Sequence, residues 1–122
     1  MFCAIALSCS DDADTHSISG SWYLTNTTTP EGNNLNYREG EVTWEFSEKS
    51  GTLTVQNRIV TLGPENTLAG PGTGSYRFEL RSEQNIHYLY IDGSRIGAVA
   101  NTGENLVVSS GIDNGIVKVF RR

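Results

Sequence analysis

Residues 86–91 read Ile-His-Tyr-Leu-Tyr-Ile, residues 92–93 Asp-Gly, and residues 94–100 Ser-Arg-Ile-Gly-Ala-Val-Ala. Two alternating runs split by Asp92-Gly93 specify a two-residue hairpin, because both central positions of a type I′ turn need positive φ. The turn sets a register: Ile91 opposite Ser94, Tyr90 opposite Arg95, Leu89 opposite Ile96, His87 opposite Ala98. Opposed side chains share a face. Leu89, Ile91, Ile96 and Ala98 therefore form one face, read as the interior, with His87 on it. Tyr90 and Arg95 form an exterior pair. The other phase would turn Arg95 inward, and its desolvation argues against it.

The same period of two runs through the rest of the chain. Ile18, Gly20, Trp22 and Leu24 share a face, as do Val42, Trp44 and Phe46, then Leu53 and Val55, then Tyr76, Phe78 and Leu80. Later strands are expected at 94–100, 104–110 and 116–121. Glu48–Gly51, Asn101–Gly103 and Asn114-Gly115 supply further turns. No amphipathic helix is evident. Short turns make sequential neighbours antiparallel, and a meander of about eight strands removes its edges best by closing. The expected fold is all-β: an eight-stranded antiparallel up-and-down barrel without a major helix, with an open sandwich as the competing architecture.

Two connections are long, 26–40 and 63–74, both rich in Gly, Pro and Asn. If Thr52–Leu62 is one bent strand, strand parity puts both at one mouth, where they serve as a gate or are tolerated surface excursions. In the last strand Val117, Val119 and Arg121 share a phase. Placing Lys118 outside puts Arg121 at the inner rim, level with Trp22.

The chain has 122 residues, 9 Lys+Arg against 14 Asp+Glu, and a net charge of −5. That is one domain. The acidic balance opposes binding to nucleic acid or to anionic lipid. No apolar stretch approaches the ~20 residues of a spanning helix. Phosphate loops, nucleophile elbows and paired metal ligands are absent from the sequence, so no cofactor, metal or catalytic residue is assigned and an enzyme is not expected. His16 reads as a tether residue. His87 is either a hydrogen-bonded core histidine or a polar group in a pocket. The stripe Trp44, Phe46, Tyr76 and Phe78 is either plain core or ligand-contacting surface.

Residues 1–8 are apolar and small, Ser8 precedes Cys9, and Ser10-Asp11-Asp12 follows. The run resembles the end of a signal peptide, shortened and without its basic leader, so the true start is expected upstream. Ser8-Cys9 resembles the lipobox of bacterial lipoproteins, and the acidic residues after it resemble the surface-export signal of Bacteroidetes lipoproteins. The resemblance implies acylation of Cys9, anchoring to the outer membrane of the cell envelope with the membrane touched only through the lipid, and exposure at the surface. The other reading of Cys9 is a thiol, free or paired with Cys3. The chain then divides into a signal remnant (1–8), a lipidated cysteine with an acidic tether (9–17) and the barrel domain (18–122).

Gly20-Ser21-Trp22 on the first strand, a long loop after it and a basic residue ending the last strand, Arg121 or Arg122, resemble the lipocalins and the wider calycin group, in particular small lipocalin-like lipoproteins of Bacteroidetes. There the Trp plugs the closed barrel end and a late Arg packs across it, which implies that Gly20, Trp22 and Arg121 close this barrel. The resemblance implies a small apolar ligand inside, held by Trp44, Phe46, Tyr76, Phe78 and His87 and admitted at the mouth away from Trp22. The alternative is a barrel filled by its own side chains that docks a protein or a glycan.

Overall fold

A computed structural model of the chain describes residues 16–110 and 115–122. Cys3, Cys9 and the Asn114 of the last expected turn lie outside the described residues. The elements are β1 (Gly20–Thr28), β2 (Asn34–Asn36), β3 (Val42–Ser47), β4 (Thr52–Asn57), α1 (Pro64–Ala69), β5 (Gly74–Glu83), β6 (Ile86–Ile91), β7 (Ser94–Asn101), β8 (Asn105–Ser109) and β9 (Val117–Arg121). Every pairing is antiparallel between sequence neighbours around the ring, and β9 returns to β1. β1 and β3 to β9 therefore close an eight-stranded up-and-down barrel. The extra strand β2 pairs with the second half of β1, while β3 takes the first half.

Alternation builds the core. Trp22 lies opposite Trp44, and Leu24, Phe120 and Leu106 follow one another across β1, β9 and β8. All five are fully buried, with Leu53, Val55 and Leu89. Trp44 packs on Phe120 at 4.7 Å between ring centroids, and Phe46 meets Phe78 edge-on at 4.9 Å. An eight-stranded ring has an interior just wide enough for such side chains, and here bulky aromatics occupy it.

The turns follow backbone chemistry. Asp92 and Gly93 both have positive φ, 51° and 86°, as a type I′ hairpin requires. Gln84 and Asn85, at 53° and 70°, make the same kind of turn between β5 and β6 without a glycine.

Three expectations are corrected. The register of β6 and β7 shifts after Tyr90–Arg95: Leu89 pairs with Gly97, Tyr88 with Ala98 and His87 with Val99. Ile96 is the extra residue of a bulge, so Ala98 turns outward and Val99 inward. Gly97 makes the bulge feasible: a Cβ there would sit 2.2 Å from the Ser109 carbonyl oxygen. Second, β9 has the opposite phase. Phe120 is the buried residue, which places Lys118 on the inner face opposite Thr27 and Val108, and Arg121 outside. Burial pushes the Lys118 ammonium pKa down. Third, β4 ends at Asn57 instead of bending on to Leu62. The Asn57 side chain accepts from the Ile59 N–H and donates to Asn66 of α1, which turns the chain out of the sheet.

Candidate functional site

The end of the barrel where β1 starts is closed by two residues that meet from opposite ends of the chain. Trp22 lies fully buried across it, its indole N–H donating to the Ile18 carbonyl at 2.8 Å. The guanidinium carbon of Arg122, rather than of Arg121, sits 4.0 Å over the indole ring. Arg122 also donates to the carbonyls of Ser19 at 2.8 Å, Ser17 at 2.5 Å and Gly103 at 3.1 Å. Arg121 points outward in β9, so it cannot reach the indole. Gly20 serves this closure twice: its φ is +112°, and a Cβ would come 2.8 Å from Arg122 Nη1.

The far end is closed as well. The two long connections do meet there, as strand parity implies, but they plug the end instead of gating it. The Tyr37 hydroxyl donates to the Glu65 carbonyl of α1 at 2.8 Å, which leaves it to accept from Thr27 at 3.3 Å. Ala69 of α1 is fully buried and Tyr37 nearly so, both within the core cluster. Burial raises the Tyr37 pKa above its usual value, and the Thr27 hydroxyl offsets part of that.

The open space lies outside the interior. β5 has ten residues and β4 six, and β5 pairs with β4 only through residues 74–77. Residues 78–83 pair with β6 alone, so the β5–β6 hairpin overhangs the Trp22 end. Between the overhang and residues 16–18 lies a half-open cleft of about 610 Å³. Its wall is made by Ile18, Leu80, Val99, His87, His16 and Glu48 among others. Leu80 and Ile86 remain 37% and 40% exposed there, bare apolar surface at the rim. Glu48 accepts from Ser17 at 2.6 Å and from Ser19 at 3.2 Å, which ties the floor to the β3–β4 turn. His16 packs its ring on Gly103, and its carbonyl accepts from Asn101 at 3.1 Å.

The candidate ligand residues thus separate. Trp44 and Phe46 are core, and the buried Trp44 indole N–H has no acceptor among the described residues. Phe78 packs on Phe46, and the half-buried Tyr76 donates its hydroxyl to the Gly72 carbonyl at 2.6 Å. Only His87 reaches the cleft. Leu80, Ile86 and Val99 went unrecognised as cleft residues. The signal was a length mismatch between the strands at 52–57 and 74–83, hidden by reading 52–62 as one strand. Among the described residues no three His, Cys, Asp or Glu side chains gather as a metal site. No family model, curated protein or solved structure matches the chain.

Proposed function

We propose that the chain is a lipid-anchored protein of the cell envelope, a lipocalin-like barrel that binds a small, mostly apolar molecule in the cleft beneath the β5–β6 overhang and not inside the ring. The observation that carries this reading is the contrast between a filled interior and an apolar cleft of about 610 Å³ with His87 in its wall. That volume falls in the range of ordinary ligand sites, which combine apolar walls with a few polar groups. Gly20, Trp22 and the Arg122 stack support the lipocalin-like assignment. The Ser8-Cys9 sequence and the acidic run after it support the anchor.

Native mass spectrometry of the purified protein tests both parts. Acyl mass on Cys9 with residues 1–8 removed supports the anchor, and an intact Met1 in the membrane fraction refutes it. A co-purifying small molecule, lost in Ile86→Asp and weakened in His87→Ala, supports the cleft. Retention of the molecule by both variants places binding elsewhere.

A second reading, docking of a protein or a glycan by the far end, draws on the segment after β4. Val60 and Leu62 are 92% and 94% exposed there. Yet Asn66 donates to the carbonyls of Ile59 and Thr61, and the Thr61 hydroxyl bonds the Glu65 carboxylate. A loop held this firmly while showing two bare aliphatic side chains fits a presented contact. Loss of partner capture in Val60→Asp/Leu62→Asp, with the cleft variants unaffected, favours it over the first.

A further inference from the structure

Strand pairing leaves one edge of β5 open. β4 begins at Thr52, opposite Arg77, and its ladder with β5 goes no further along the overhang. Which backbone groups face that edge follows from the alternation of an antiparallel ladder. The Arg77 carbonyl accepts from the Asp92 N–H at 2.9 Å, on the β6 side. The Phe78 N–H donates to the Gly51 carbonyl at 3.0 Å, on the β4 side. Glu79, Arg81 and Glu83 therefore turn their backbone groups to β6, and Leu80 and Ser82 turn theirs away from it. Beyond Gly51 no strand stands on that side, so the N–H and C=O groups of Leu80 and Ser82 have no backbone partner among the described residues.

Hollows flank this edge on both faces of the sheet. On the inner face lies the cleft, with Leu80, Ile18 and Val99 as its apolar wall. On the outer face a half-open hollow of about 500 Å³ lies over Arg77, Glu79 and Tyr90, bounded by Ser50 and Gly51. The other charges of the outer face are drawn over β6. Arg81 lies 4.0 Å over the Tyr90 ring and holds Glu79 at 2.9 Å, and Arg95 lies 4.1 Å over Tyr88 and holds Glu83 at 2.9 Å. The exposed Arg77 guanidinium has no ion pair among the described residues.

We infer that the open edge of β5 takes an extended peptide segment of a partner protein as an added strand, one that alternates apolar and acidic residues. The inference rests on the cleft being a binding site and names what enters it. A row of unpaired N–H and C=O groups on a strand is a template for another extended backbone. In such additions the main-chain bonds supply affinity and hollows for alternate side chains supply specificity. The peptide residue opposite Leu80 shares its face and enters the apolar cleft. Its two neighbours project to the outer face, where a carboxylate meets Arg77.

Amide hydrogen exchange followed by NMR on the full chain tests this with the peptide acetyl-Asp-Val-Asp-Val-Asp-amide, titrated to about 1 mM. Without peptide the Leu80 and Ser82 amides exchange freely. With it they slow at least ~10-fold, while Glu79 and Arg81, already bonded to β6, do not change. N-methylation of the two valines, whose backbone faces β5, abolishes the protection, and N-methylation of the aspartates leaves it. Ser82→Pro removes a donor at an open edge, where proline is tolerated, and weakens binding at least ~5-fold. Arg77→Glu weakens this peptide about 3-fold and strengthens its lysine counterpart. Should Ser82→Pro not fold, the methylated peptides carry the test on the wild type. A peptide that protects neither amide, or protection that survives methylation of the valines, overturns the proposal. Amides already slow in the free chain at every concentration place the chain's own residues on the edge, and amides that slow as protein concentration rises place a second copy there; either result overturns it as well. Loss of a co-purifying small molecule in Ile86→Asp, with neither amide protected by peptide, refutes the added strand alone and leaves the cleft reading standing.

Discussion

Arg122 shows how much one side chain at the end of a chain can organise. Its guanidinium covers an indole face and donates to three carbonyls belonging to the segment before β1 and to the β7–β8 turn. Such a stack contributes roughly 0.5–2 kcal/mol, and charge-assisted hydrogen bonds add to it. Arg121, one residue earlier, makes no such contacts among the described residues. Arg122→Ala is therefore expected to destabilise the domain by about 1–3 kcal/mol. Arg121→Ala should stay within ~0.5 kcal/mol. Urea denaturation of the two variants checks the assignment, and equal losses would contradict it. Both arginines are visible in the sequence, and only the phase of the strand separates them. The sequence argument kept Lys118 outside, and turning it inward costs the desolvation of an ammonium. The structure takes that cost because Phe120, the largest side chain of the strand, is the one the interior needs. A five-residue strand offers too few positions to outvote one charged residue, which is why its phase was misread.

Whole strands were easier to read than their registers. The alternation at 42–47, 52–57 and 86–91 and the Asp92-Gly93 turn matched the structure, because burial of one face and positive φ are local demands that side-chain types display directly. The bulge at Ile96 was not legible, although its cause stands in the next position. Gly97 has neither an unusual φ nor a place in a turn; its lack of a side chain is needed by the neighbouring strand. A methyl group there would lie 2.2 Å from the Ser109 carbonyl oxygen and 2.6 Å from the carbonyl carbon, both backbone atoms that cannot rotate away. Gly97→Ala should force β7 and β8 apart and cost about 1–3 kcal/mol or more, against the usual stabilising trend of Gly→Ala in regular structure. Gly72→Ala is the control, since no atom lies within 4 Å of its Cβ position. Thermal melts followed by circular dichroism distinguish them; a Gly97→Ala variant as stable as the control would show that the strands adjust freely.

At the scale of the molecule, the barrel is a ring stoppered at both ends, with a cleft outside it beneath the β5–β6 overhang. The closed meander and the meeting of its two long connections followed from turn lengths and parity. That those connections plug the end did not, because the plug rests on one small residue, Ala69, and one hydroxyl, Tyr37, neither of which forms a periodic signal. The Tyr37 contacts give the plug a measurable signature. Tyr37→Phe leaves the Glu65 carbonyl and the Thr27 hydroxyl without their partner and should cost about 1–2 kcal/mol near neutral pH. Its dependence on pH follows from the raised pKa. The folded state keeps the phenol proton at a pH where the unfolded chain has begun to lose it, so the folded state binds more protons and stability falls as pH rises. The contribution is whole below the ordinary tyrosine value of about 10 and is lost as pH climbs through the higher folded value. Denaturant midpoints of wild type and Tyr37→Phe should therefore differ by a constant amount from pH 7 to about 9.5 and converge above about 10. A gap that widens with alkalinity would mean that ionisation of Tyr37 favours the plug, and a gap that stays constant to pH 11 would mean that folding does not raise the Tyr37 pKa.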